Sequence, residues 1–198
     1  MIYINIAVED ELSEAVIRKL LPGNKFQISQ CFRRGGFGYL KNNLKSFNAA
    51  SKFIPYLVLT DLDASPCPLK LISEWLNFPK NYNLIFRIAV KEVESWLIAD
   101  KNNFSKFMSV SKDLIRIENN DVDKMPNPKE FIINLAKRSK NREIKSALIP
   151  LSNAKIGPDY NAVLSKFVCE SWDFNEAAKH SKSLLKTIKN IDNFKPER

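Results

Sequence analysis

Three continuous apolar runs decide most of what this chain is able to fold into. Ile2–Val8 reads IYINIAV, Ile54–Thr60 reads IPYLVLT and Leu84–Val90 reads LIFRIAV. Each is rich in β-branched residues and lacks a strict apolar–polar alternation. Each therefore fits a strand buried on both faces, the condition of a parallel sheet. Segments of helical period lie between them. Leu12, Ala15, Val16, Leu20 and Leu21 recur at helical spacing within Glu9–Leu21, and Pro22-Gly23 stops that helix. Lys25–Cys31 reads as a short second strand and Tyr39–Ser51 as a helix bearing Leu40, Leu44, Phe47 and Ala50, while Leu69–Leu76 and Glu92–Asp100 read as two more helices. Strand and helix in alternation predict an α/β fold, a mainly parallel four-stranded sheet flanked by helices.

The strand signal ends after Asp100. Phe104–Met108, Pro128–Arg138, Glu143–Leu148, Asp159–Glu170 and Glu176–Ile188 all carry helical pattern, separated by turn-rich links. The expected organisation is an α/β core over residues 1–100 and a C-terminal helical layer, residues 101–198, packed on that core.

Composition removes whole classes of function. Hydrophobic residues make up 44% and charged residues 27% of 198, a globular balance. No apolar run reaches the roughly 18 residues of a membrane span, and the start, MIYINIAVEDELSEAV, lacks the basic n-region of a signal peptide. Cys31, Cys67 and Cys169 are odd in number and far apart, which fits reduced thiols in a cytoplasm rather than a disulfide framework. His180 is the only histidine and no CxxC pair exists, so a structural zinc site and a histidine-based triad are disfavoured together. Neither GxxxxGK[ST] nor GxGxxG occurs. Catalysis would have to come from carboxylates, lysines and a hard metal.

Carboxylates stand where such chemistry needs them. In a parallel sheet the functional crevice lies beyond the carboxyl ends of the strands. The first strand is followed at once by Glu9, the third by Asp61-Leu62-Asp63 and the fourth by Glu92 and Glu94. On an extended segment Asp61 and Asp63 would point the same way. Acids so placed suit Mg²⁺ or Mn²⁺, whose octahedral shells take carboxylates and waters. The plainer reading is that the aspartates cap helices and that Glu9–Glu14 loads a helix dipole. Trp96 follows the helical spacing of Val93 and Leu97 and reads as core rather than as a stacking platform.

In this order the motifs resemble a Toprim domain, the metal-dependent module of topoisomerases, bacterial primases and the OLD nucleases. The likeness covers about the first 100 residues. It consists of an apolar strand with Glu9, a DxD at Asp61-Leu62-Asp63, and FRIAVKEVESWLIAD over 86–100, which is similar to the (H/K)ExExWLxAD segment of Toprim-like families. Asp10 stands where the family usually has glycine. The resemblance implies that Glu9 acts as general acid/base or metal ligand, that Asp61 and Asp63 ligate Mg²⁺ or Mn²⁺, and that Glu92 or Glu94 is a further acid. Lys91 beside them would offset phosphate charge. It also implies a separate ATPase partner and a role in phage defence.

The net charge of +9, from 31 Lys+Arg against 22 Asp+Glu, gives the sequence-independent attraction that nucleic acid exerts on a basic protein. Arg33 and Arg34 precede a glycine-rich loop, and Lys137, Arg138, Lys140 and Arg142 crowd the helical half. Lys155 sits in a polar loop that opens a helix. The sequence therefore reads as a cytoplasmic, metal-dependent nuclease acting on DNA or RNA. The competing readings are a Toprim-like scaffold that binds nucleic acid or a protein without cleaving, and a nucleotide hydrolase using the same acids.

Overall fold

A computed structural model describes residues 1–33 and 35–197. It divides into two compact units, residues 1–90 with 186–198, and residues 91–185. The division thus falls after Val90 rather than after residue 100, and the end of the chain belongs with the sheet. Among the described residues no helix is long and apolar enough to cross a membrane.

The first unit is an α/β fold. Strands β1 (Ile2–Ala7), β2 (Phe26–Phe32), β3 (Tyr56–Asp61) and β4 (Leu84–Ala89) form one sheet in the order β2-β1-β3-β4. Every pair is parallel. The apolar runs are buried as their composition requires: Ile4, Ile6, Leu57, Val58 and Leu59 are fully inaccessible. Helices α1 (Glu11–Leu20), α2 (Gly36–Ala50) and α3 (Pro68–Trp75) make the crossovers. Because parallel crossovers are right-handed, α1 lies on one face and α2 and α3 on the other. Leu40, Leu44 and Phe47 of α2 and Leu71 and Trp75 of α3 accordingly share one core with Ala7, Val58 and Ile88 of the sheet.

The chain runs from β1 outward to β2, then crosses back to β3 on the other side of β1. The topological switch point is therefore between β1 and β3, where open α/β sheets keep their ligand crevice.

Residues 186–198 close this unit from the far end of the sequence. Lys25 Nζ donates to the carbonyls of Ile191 (3.0 Å) and Asp192 (2.5 Å), and the Phe26 and Phe194 rings stack at 6.2 Å. Asn83 makes a two-way amide pair with Glu197, both bonds at 2.9 Å.

The second unit is helical. It holds α4 (Val93–Ala99), α5 (Lys101–Phe107), α6 (Pro128–Lys137), α7 (Arg142–Leu148), α8 (Tyr160–Glu170), α9 (Phe174–Ala178) and the start of α10 (Lys182–Asn193), with short 3₁₀ turns over 112–124. Trp96 is fully buried; its indole N–H donates to Ser183 Oγ at 2.8 Å. The single helix expected over Glu176–Ile188 is two helices. Ser181 interrupts it, capping α10 through the Leu184 N–H at 3.1 Å while its hydroxyl donates to Asp123 at 2.7 Å. A serine makes a better cap than helix interior, and Asp123 fixes it there. The loop before α8 is held by backbone proximity: a Cβ on Gly157 would lie 2.1 Å from the Ala147 carbonyl oxygen.

Candidate functional site

In the first unit Glu9 meets the end of β3 at the switch point. Val8 N–H still pairs with Phe32 O at 3.0 Å, so β1 delivers Glu9 directly to the carboxyl edge of the sheet. Glu9 Oε1 there accepts from Thr60 Oγ1 at 2.6 Å and from the Asp61 N–H at 2.9 Å. Its carboxylate is thus fixed across the β1–β3 boundary by the end of β3. Among the described residues, no hydrogen bond falls on the second oxygen, Oε2. Burial raises the Glu9 pKa above 4.5; the two hydrogen bonds oppose this, and the charges of Asp63 and Asp10 push it further up.

Asp61 ends β3 and is largely buried, whereas Asp63 is exposed. The expected extended alternation between them does not hold. Leu62 remains paired to Ala89 O at 2.9 Å, but Asp63 turns into the left-handed region at φ +46°. An aspartate tolerates that conformation better than most residues.

Asp10 has a structural role of its own. Its backbone is extended at φ −147°, ψ −175°, a conformation that needs no glycine, and its side chain accepts from Ser13 N–H at 2.8 Å as the N-cap of α1. The plainer reading of strand-end acids therefore applies to Asp10, while Glu9 points elsewhere.

Among the described residues, no three His, Cys, Asp or Glu side chains are drawn together as a ready-made metal shell. The donor chemistry nonetheless fits a hard divalent cation. Glu9 is half-buried, pre-oriented and electrostatically strained by two further carboxylates, and a cation there would relieve the repulsion. Glu9, Asp61 and Asp63 are the residues that would hold it.

The ExE pair belongs to the second unit and has a partner of its own. Glu92 is the extended N-cap of α4 (φ −142°, ψ 157°) and Glu94 lies in the first turn. Two residues apart on a regular helix would diverge; the extended cap lets both turn to the same cation. Lys129 Nζ lies 3.7 Å from Glu92 Oε1 and 3.6 Å from Glu94 Oε1. Glu92 Oε2 also accepts the Lys129 N–H at 3.0 Å and so caps α6, whose own N-cap, Asn127, makes no side-chain capping bond to the backbone. Glu94 is almost wholly buried and accepts from Tyr160 Oη at 3.3 Å. Lys91 is half-buried in the link from β4 to α4.

The basic residues differ in availability. Arg33 is engaged by Glu14 at 3.4 Å, and Arg34 lies outside the described residues. Lys137, Arg138, Lys140 and Arg142 are exposed at the end of α6 and the start of α7, and Lys155 is exposed in the loop before α8. Lys137 Nζ donates to Asn134 Oδ1, on the same helix, at 3.0 Å. Burial, with Glu14 beside it, pushes the Cys31 thiol up to about 11, so it is a poor nucleophile.

Two partners escape sequence reasoning. Thr60 has a local signal, a hydroxyl residue one place before the DxD. Lys129 has none, because nothing in its own segment marks it as the counter-ion of acids thirty-seven residues upstream.

No protein-family model, curated protein or solved structure matches this chain.

Proposed function

We propose that this protein is a Mg²⁺- or Mn²⁺-dependent nuclease with a Toprim-like sheet, hydrolysing phosphodiester bonds of DNA or RNA in the cytoplasm. One observation carries the reading: the Glu9 carboxylate is held by Thr60 and Asp61 at the β1–β3 switch point, with Asp63 and Asp10 near enough to raise its pKa. A divalent cation at such a site supplies charge neutralisation and an acidified water. Glu9, with its pKa raised, is suited to accept or return the proton. Asp61 and Asp63 bring the charge that a cation and an approaching phosphate require. The exposed cations of the α6–α7 segment supply attraction for the nucleic acid backbone. Three free thiols fit a reducing compartment. The resemblance to OLD-type proteins adds a separate ATPase partner and a role in phage defence.

The second reading, a binding module without cleavage, is favoured by one feature. Lys129 Nζ lies 3.7 Å from Glu92 and 3.6 Å from Glu94, and a cation already paired with these acids favours a structural role for them. The two readings part in a cleavage panel of supercoiled plasmid, single-stranded DNA, tRNA and nucleotides, each with Mn²⁺ or chelator. The nuclease reading expects metal-dependent cleavage of a polynucleotide that falls about 10²-fold or more in Asp61→Asn. Tight, salt-sensitive binding with no cleavage in any metal would establish the binding module instead.

A further inference from the structure

The second unit carries a groove that the proposed chemistry does not use. It lies between α7 and α8 and has a volume of about 660 Å³. Ile144 and Ala147 form one wall and Ala162 and Val163 the other, with Phe107 at one end. The floor is firm: Ile144 and Ala147 are buried, and the Phe107 ring packs on Phe167 at 5.0 Å. Gly157 lies hard against the α7 backbone, and Asp159 N–H bonds Ala147 O at 3.2 Å, fixing the turn that joins the two helices.

Charge sets this groove apart from the rest of the molecule. The chain carries +9 overall, yet the rim holds Glu143, Asp159 and Glu170 against a single Lys166. All three carboxylates are exposed, and among the described residues none of them forms an ion pair. Their placement is also directional. Asp159 stands at the N-terminal end of α8 and Glu170 is its last residue, about 16 Å away at 1.5 Å per residue. Glu170 adds to the negative end of that helix's dipole. A trough along the three turns of α8, partly apolar with Asn141 and Ser146 also in its lining and a carboxylate at each end, matches an amphipathic helix with an apolar stripe between basic residues.

We infer that the α7–α8 groove docks a basic amphipathic helix of a partner protein, about three turns long, with Lys or Arg near each end. Apolar side chains of the helix, spaced i, i+3/i+4 and i+7, fill the trough, and its terminal cations meet Asp159 at one end and Glu170 at the other, with Glu143 also on the rim. Nucleic acid is repelled from this face by the same carboxylates, so the groove and the α6–α7 cations serve different partners.

Fluorescence anisotropy on the full-length chain tests the assignment with labelled synthetic helices. The probe carries leucines at i, i+4, i+7 and lysines at both ends; one control has glutamates for the lysines and another has serines for the leucines. The lysine–leucine helix should bind in the micromolar range and both controls about tenfold or more weakly. Glu143→Lys/Glu170→Lys should weaken binding about tenfold or more, and Ala162→Arg, an exposed position that fills the groove, should do the same without lowering the melting temperature. Nuclease-inactive Asp61→Asn should bind the helix unchanged. The assignment is overturned if the glutamate helix binds as well as the lysine helix. It is equally overturned if the groove variants bind like the parent, if nothing binds, or if the rim variants abolish a self-association of the chain, which would make a second copy the occupant.

Discussion

Glu9 is a residue whose ionised form the fold tolerates at a cost. Its raised pKa means that between 4.5 and the folded value the native state holds a proton that the unfolded chain releases. Stability from this group is therefore highest at low pH and is lost as pH rises through that window. Glutamine keeps an oxygen to accept from Thr60 and Asp61 while removing the charge. Glu9→Gln in chelator should melt higher than the parent near neutral pH, and the gap should vanish toward pH 4.5. A variant that melts lower at neutral pH would show that the charged carboxylate is structural. Glu92 and Glu94 should behave oppositely. Their charge meets Lys129, so Glu92→Gln and Glu94→Gln should each lower the melting temperature, by about 1 kcal/mol for the partly exposed Glu92 and by more for the buried Glu94. Both should keep whatever Mn²⁺-induced shift the parent shows. Loss of that shift would bring the pair into the metal site.

Elements join this fold in ways that sequence period shows unequally. Continuous runs such as IYINIAV mark a strand buried on two faces, and three of them, with one short further strand and helices between, leave a parallel sheet as the natural arrangement. The acids that end β1 and β3 were equally plain, because a strand terminus is a local event. The strand order, and with it the switch point, is not local; it depends on which side of β1 the chain returns to. The break at Ser181 was hidden because the apolar spacing of 176–188 continues across it, and only Asp123 explains the cap. The Glu92 cap on α6 is hidden because its two residues lie 37 positions apart in sequence. Gly157 offers an element-scale check. With Ala147 O only 2.1 Å from its Cβ position, Gly157→Ala must push α7 from the loop before α8, and it should cost about 1–3 kcal/mol by chemical denaturation. A neutral result would mean that the loop is not seated on α7.

At the scale of the whole molecule, a basic chain brings a small acidic crevice to the carboxyl edge of its sheet. Long-range attraction should come from the cations, so nucleic acid affinity should fall steeply with salt in wild type and in Asp61→Asn alike. Charge reversal at Lys137, Arg138, Lys140 and Arg142 should flatten that dependence, and binding indifferent to salt would remove nucleic acid as the ligand. The central claim, that Glu9, Asp61 and Asp63 hold one divalent cation, is most directly tested by calorimetric titration of the full-length chain with Mn²⁺. The account expects a single binding event that survives in Glu94→Gln and is lost in Glu9→Gln and in Asp61→Asn. Binding that is absent from the wild-type chain, or that persists unchanged in both of those variants, would contradict it.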